Sequence, residues 1–336
     1  SEMCIRDMQY VESGATEPFD YDSLPRVDRD ALEEPEAPDL VRVSEAPAAA
    51  AAAPTAMSAP VESADNYGDY AAQLAAVPAL AAFGAPLTSS PIAGPTALTE
   101  SETEYMVTAV KHVFAEHIVL QYNVTNTLAE MVLEDIVMVV GGLVEAGLEE
   151  GFILPITSLS AASPSGVVYV SLKRDSVLPF PLATLSNTLR FVSKEVDPTS
   201  GEPEPEGYQD EYQTEELDLG VADYVQQADV DFAATWDTLE ASASETFALT
   251  ALESLDASCS TLIEILGMRA LGGTETPANP SVHTMMLAGR LACPTGLELV
   301  LARVRMMYQP SDGVTMELAV RAPSDEACLF VLSAIA

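Results

Sequence analysis

Tryptophan occurs once in this 336-residue chain, at position 236. Positive charge is almost as scarce: 14 Lys and Arg stand against 52 Asp and Glu, a net charge of -38. The 74 residues from Glu195 to Met268 hold 19 acids and no Lys or Arg. Such an excess repels polyanions and excludes nucleic acid and anionic membrane surfaces as direct partners. The four cysteines, Cys4, Cys259, Cys293 and Cys328, form no CxxC pair and are too few for a disulfide framework. They read as reduced thiols of a cytosolic protein. No apolar run approaches the roughly 18 to 20 residues of a membrane span, so direct membrane insertion is not expected. SEMCIRDMQYVES has neither the basic nor the apolar part of a signal peptide. His112, His117 and His283 lack metal-ligand spacing and read as ordinary surface or strand histidines. The dinucleotide-binding, P-loop and nucleophile-elbow glycine patterns do not occur. No nucleophile, base and oxyanion donor can be assembled, which predicts no catalytic residue, no cofactor, no metal and no enzyme.

What is present is a core-forming complement of 48% hydrophobic residues, much of it alanine in the first hundred positions. Residues 1–97 read as a disordered acidic linker. EEPEAPDL, EAPAAAAAAPTAMSAP and GAPLTSSPIAGPTAL carry proline at a density through which neither helix nor sheet propagates. One island, YAAQLAAVPALAAF at 70–83, has the composition for helical turns on either side of Pro78. It reads as a fluctuating Ala-rich segment, with docking as the alternative.

Residues 98–205 change in texture. In HIVLQYNVTN, Ile118, Leu120, Tyr122 and Val124 alternate with His117, Val119, Gln121 and Asn123, the period of a half-buried strand. EDIVMVV, SGVVYVSL and LSNTLRFV repeat the pattern, and turn-rich pieces separate them. Short strands at this spacing predict an immunoglobulin-like β-sandwich. The sequon Asn123-Val-Thr125 reads as part of a polar strand face.

An acidic connector, DPTSGEPEPEGYQDEYQ, marks a boundary, and 206–336 form a second subdomain. ELDLGVADYV and ETFALT read as strands. Thr250 and Glu253 have capping-box spacing before a helix whose apolar residues Leu252, Leu255, Cys259, Leu262, Ile263 and Leu266 share a face, ending at Gly267. HTMMLAGRL, LELVLARVRMM and VTMELAV read as antiparallel strands and DEACLFVLSAI as a closing helix. The fold class is therefore mainly β plus α+β: a sandwich followed by an α/β platform.

Two features point to binding. Residues 281–336 carry four arginines, Arg290, Arg303, Arg305 and Arg321, against five acids, a locally balanced surface on a strongly acidic chain. Arg303 and Arg305 leave one strand on the same face, and antiparallel pairing brings Arg321 near them. These arginines either balance local acids or form a cationic patch for acidic peptides, a task suited to guanidinium. In VDFAATWDTL a helix capped by Asp231 places Phe232, Trp236 and Leu239 on one face. That stripe is either core or the anchor of an interface.

TALTESETEYMVTAVKHVF, QYNVTNTL, VDPTSGEPEPEGYQDEYQTEELDLGVADYVQ and DFAATWD together resemble the C-terminal appendage of the coatomer gamma subunit. The resemblance runs from about Pro95 to Ala336 and touches TEPFDYDSLP and QLAAVP upstream. It departs in GGLVEAGLEEGF and LGGTETPANP. It implies an immunoglobulin-like sandwich with a platform like those of clathrin-adaptor appendages. It also implies a non-enzymatic recruitment module of the COPI vesicle coat in Golgi-to-ER and intra-Golgi transport. The implied location is the cytoplasm, at the cytosolic face of the Golgi membrane and of COPI-coated vesicles. The implied partners are the Arf GTPase-activating protein, met through the platform, and other coatomer subunits, met through a trunk outside this sequence. The family's platform tryptophan falls on Trp236, with Phe232 beside it, and its basic surface on Arg303, Arg305 and Arg321. A clathrin-adaptor appendage is the nearer rival, and the DPTSGE…EGYQDEY block argues against it. The more distant rival is a hydrolase with a cryptic site, which an activity screen would reveal.

Overall fold

The computed structural model describes residues 66–91, 94–174, 179–311 and 313–335. These belong to one compact unit. Cys4, the segment TEPFDYDSLP and the expected linker up to residue 65 lie outside the described residues. From residue 66 onward the linker expectation is corrected. Helices α1 (Asn66–Ala75) and α2 (Pro78–Ala81) precede strand β1 (Thr88–Ser90) and β2 (Thr96–Ala97), and all belong to the folded body.

The sandwich continues with β3 (Tyr105–Val113), β4 (His117–Asn126), β5 (Met131–Gly141), β6 (Leu148–Leu154), β7 (Ile156–Leu159), β8 (Ser165–Arg174), β9 (Ala183–Glu195), β10 (Tyr208–Gln213) and β11 (Leu217–Leu219). One sheet runs β1-β3-β4-β8-β6 with β2 on β3; the other runs β10-β9-β5-β7 with β11 on β9. Their inner faces enclose Tyr122, Leu133, Ile136, Met138, Leu185, Leu189 and Phe191. Each such side chain contributes about 1.5–3 kcal/mol by leaving water. The Tyr122 hydroxyl keeps its polar end satisfied by donating to Asn187 Oδ1 at 2.6 Å.

The 70–83 island is docked, not fluctuating. Leu74 and Leu80 are buried against Phe114, Val119 and Tyr169 on the outer face of the first sheet. Phe83 stacks on His117 with ring centroids 4.0 Å apart. This cover explains why Val119, on the outer face of β4, is buried although the sequence alternates. Beside it runs a chain of polar side chains, Ser89 to His112 to Gln121 to Asn123 to Thr108. Asn123 is thus committed to the strand face, as its sequence context suggested. Burial pushes the His112 pKa down to about 4.

The sandwich boundary also moves. The acidic connector was expected to separate the subdomains, yet its end forms β10, and both β10 and β11 pair with β9. The sandwich therefore reaches Leu219. ELDLGVADYV, read as one strand, divides into β11, a 3-10 turn (Val221–Tyr224) and β12 (Val225–Gln227). Asp223 causes the break. Its carboxylate accepts from Ser90 Oγ, from Gly220 N–H at 2.8 Å and from Lys111 Nζ at 2.7 Å. Lys111 also donates to the Asp218 carbonyl at 2.7 Å. A carboxylate this well supplied with donors holds the chain in a turn where a strand would carry it into solvent.

The platform comprises β12, α3 (Phe232–Trp236), β13 (Ala241–Leu249), α4 (Leu255–Leu266), β14 (Arg269–Ala270), β15 (Val282–Cys293), β16 (Gly296–Gln309), β17 (Gly313–Ala322) and α5 (Asp325–Leu332). Its sheet order is β12-β15-β16-β17-β13, with β14 on β15. Val300, Ala302, Val304 and Met306 on β16 and Val314, Met316, Leu318 and Val320 on β17 join one core with α4 and α5. The N-cap of α4 is Ser254, whose Oγ accepts from Ala257 N–H at 3.1 Å, rather than the expected Thr250. Thr250 is taken up by the turn after β13. At the other end Gly267 adopts φ 64° with Ala222 backbone atoms 2.9 Å from where a Cβ would stand. Only glycine fits that close approach.

Two further contacts join sandwich to platform. Arg174 is buried, donates to the Ala292 carbonyl at 3.4 Å and lies 5.9 Å from the Tyr224 ring centroid. Phe180 stacks on Phe330 of α5 at 4.4 Å.

Candidate functional site

Helix α3 is only five residues long and cannot hold itself in water. Asp231 caps it by accepting from Ala234 N–H at 3.0 Å. Arg321 closes the other end by donating from Nη1 to the carbonyls of Trp236 (3.3 Å) and Leu239 (3.4 Å). Beneath lies an apolar bed of Ala288 and Leu301, with Val230, Leu239 and Met286 around it.

This bed is the sheet face opposite α4 and α5. Alternation places Leu299, Leu301, Arg303 and Arg305 of β16 there, with Glu317, Ala319 and Arg321 of β17. Arg321 is directly across from Leu301, Arg303 from Ala319 and Met286, and Arg305 from Glu317. The sequence-predicted residues are thereby brought together. Phe232 and Trp236 are half-buried and stack at 4.9 Å with planes 24° apart. The guanidinium carbons of Arg303 and Arg321 lie 4.8 and 5.3 Å from the Trp236 ring centroid. Trp236 is thus neither free-standing nor core: one part packs on the bed and the other faces out between two cations.

The three arginines differ in what they hold. Arg305 pairs with Glu317 at 3.3 Å, and Arg321 lies 3.6 Å from Asp237 besides closing α3. Among the described residues Arg303 has no carboxylate within ion-pair distance, and its buried Nε lacks a hydrogen-bond partner. Burial, then the neighbouring Arg305 cation, holds its pKa below the usual arginine value. An anion arriving at the ring edge meets Arg303 without displacing an acid. Met286, Leu301 and Asp237 were not picked out in the sequence, and Glu317 only as one of the five acids set against the arginines. The strand register that aligns Met286 with Arg303 was the available signal. Two concavities, one beside Tyr308 and Pro310 and one along 195–206, contain none of these residues. The Trp236 site is a shelf.

The described residues thus form a β-sandwich joined to an α/β platform, with a part-buried indole on the platform's open face. Two family models divide the chain at the 3-10 turn. The coatomer gamma subunit appendage platform subdomain matches residues 68–220, and the coatomer subunit gamma-1 C-terminal appendage platform matches 222–335. Both descriptions use the word platform; here the first covers the sandwich and the second the α/β unit. The chain belongs to the coatomer gamma appendage family. It is 40% identical over 256 residues to a probable coatomer subunit gamma of Schizosaccharomyces pombe, covering 76% of this chain and 27% of that one. It is 32% identical over 332 residues to coatomer subunit gamma-1 of Bos taurus, covering 97% and 36%. The yeast GGA1 GAE domain aligns over 35% of this chain and 98% of its own, with 13% identity and a TM-score of 0.24. The chain thus spans about a third of the length of the curated relatives it matches. Among the described residues no helix is long and apolar enough to cross a membrane.

Proposed function

We propose that the platform recruits accessory proteins to a COPI vesicle coat at the cytosolic face of the Golgi by taking acidic peptide motifs onto the Trp236 shelf. The Arf GTPase-activating protein is the partner the family resemblance names, and other coatomer subunits are further partners. The observation that carries the reading is the Trp236 ring flanked by Arg303, a guanidinium with no carboxylate within ion-pair distance among the described residues. An apolar side chain of the ligand lies on the indole while its acid meets Arg303. The pairing is charge-assisted and partly desolvated, the setting in which single contacts reach about 2 kcal/mol or more. Arg321 is a positioning residue, since it closes α3 through two carbonyls. Phe232 supports the ring from behind.

Trp236→Ala should abolish pull-down of the Arf GTPase-activating protein and lower stability by only about 1–2 kcal/mol, because the ring is part-exposed. Arg303→Ala should weaken binding at least tenfold, and Arg305→Ala far less. Pull-downs and isothermal titration measure both. Equal losses at Arg303 and Arg305 would contradict the division of roles drawn here.

A further inference from the structure

We propose that the free edge of β13 takes an extended peptide from a partner protein as a further strand of the platform sheet, with an acidic side chain of that peptide at the Arg321 end. This is a second site beside the Trp236 shelf and does not need the indole.

The sheet edges of the described residues are not alike. β1 and β12 have three residues and β7 has four. The ladder of β6 is broken between Glu150 and Phe152, and β10 carries Asp210 and Glu211 at its centre. These are the usual devices that blunt an edge. β13 shares only the charge, a single acid, Glu245, at its centre. It runs nine residues, ASASETFAL, with no proline, no lysine and an unbroken register against β17 from Ala241 to Leu249. Apart from the turn bond from Leu252 N–H to the Leu249 carbonyl, no backbone hydrogen bond among the described residues leads from β13 to anything but β17. Alternate N–H and C=O groups therefore face outward, and Ser242, Ser244, Glu245, Thr246 and Ala248 are exposed. An added strand satisfies those groups and gains affinity through its main chain, while its alternate side chains set specificity.

Two occupants fit such an edge, and charge decides between them. A second copy pairing antiparallel about the strand centre sets Glu245 opposite its own counterpart, and like charges directly opposite are destabilising. Each copy also carries a net charge of -38. Glu245 thus disfavours self-pairing while leaving the edge open to a different chain. On the outer face Ser242 lies directly opposite Arg321 and Thr246 opposite Glu317, so that side of an added strand faces a guanidinium at one end and a carboxylate four residues further on. On the helix side the strand presents Ala243, Phe247 and Leu249, which suit apolar residues. The fitting ligand is an extended segment alternating apolar and polar side chains, with an acid at the Arg321 end only.

The test uses the full chain and an acetylated, amidated nine-residue peptide alternating valine and threonine, with one glutamate in the last threonine position. Two versions are N-methylated, each on one set of alternate residues. Amide exchange followed by NMR should show outward-facing amides of 241–249 slowing at least tenfold with the plain peptide, in wild type and in Trp236→Ala alike. One N-methylated version should lose the effect and the other keep it, because only one set of amides faces β13. The proposal is overturned if millimolar peptide slows none of these amides, or if both N-methylated versions still act. Slowing that rises with protein concentration alone would assign the edge to a second copy and overturn it too.

Discussion

At the scale of single residues, what a side chain already holds matters more than where its Cα lies. Arg303 and Arg305 are two positions apart and share a face, as alternation required. Only the cross-strand register with Glu317 separates their roles, and register is not written in any one strand. His112 makes the same point for ionisation. It read as an ordinary histidine, yet it is buried between Ser89 and Gln121 with Tyr70 edge-on at 5.3 Å. Its folded pKa of about 4 lies below the 6.5 of an unfolded histidine, so the unfolded chain binds the extra proton between those values. Stability from this group is full above about pH 6.5 and is lost as the pH falls toward 4. Between pH 7.5 and 4.5 the wild type should lose about 2–3 kcal/mol more than His112→Gln in urea unfolding. Parallel losses in the two proteins would exclude His112 as the cause.

At the scale of elements, periodicity found most of the long strands, though not β3, and the two longer platform helices, α4 and α5. It was weaker where a local choice had several equivalent answers. Ser254 and Thr250 both precede α4 with capping chemistry, and tertiary packing of Leu255 chose the later one. The Ala-rich island shows a different limit. Alanine gives helix propensity without a visible apolar stripe, so Leu74, Leu80 and Phe83 carried the whole docking signal in three residues. Leu74→Ala removes a buried side chain from a small satellite cluster, at a cost of about 2–4 kcal/mol. The expected result is local release: limited proteolysis cuts within 66–87 while the strands stay protected. If global unfolding accompanies cleavage at all protease concentrations, the helices are integral to the main core.

At the scale of the molecule, composition limited the partners and the sandwich-then-platform order was legible. The seam between the two was not. The acidic connector looked like a boundary because of its proline and charge, but the true divide is set by Asp223, whose partners Ser90 and Lys111 lie more than a hundred residues away. Long-range pairing of that kind leaves no periodic trace. The buried pair of Lys111 and Asp223 predicts an asymmetric cycle. Lys111→Met leaves a buried carboxylate short of its cation and should cost about 3–5 kcal/mol, whereas adding Asp223→Asn should recover part of that loss. Urea midpoints of the two singles and the double give the coupling, and strict additivity would mean the pair stabilises nothing.

The Phe180–Phe330 stack beside that seam has a mechanical consequence. A hinge requires surfaces that slide, and interleaved rings with a buried guanidinium alongside do not slide cheaply. Tension applied to the polypeptide at residue 66 is therefore carried as torque through the whole body. The shelf and the β13 edge swing together, like two hooks on one lever.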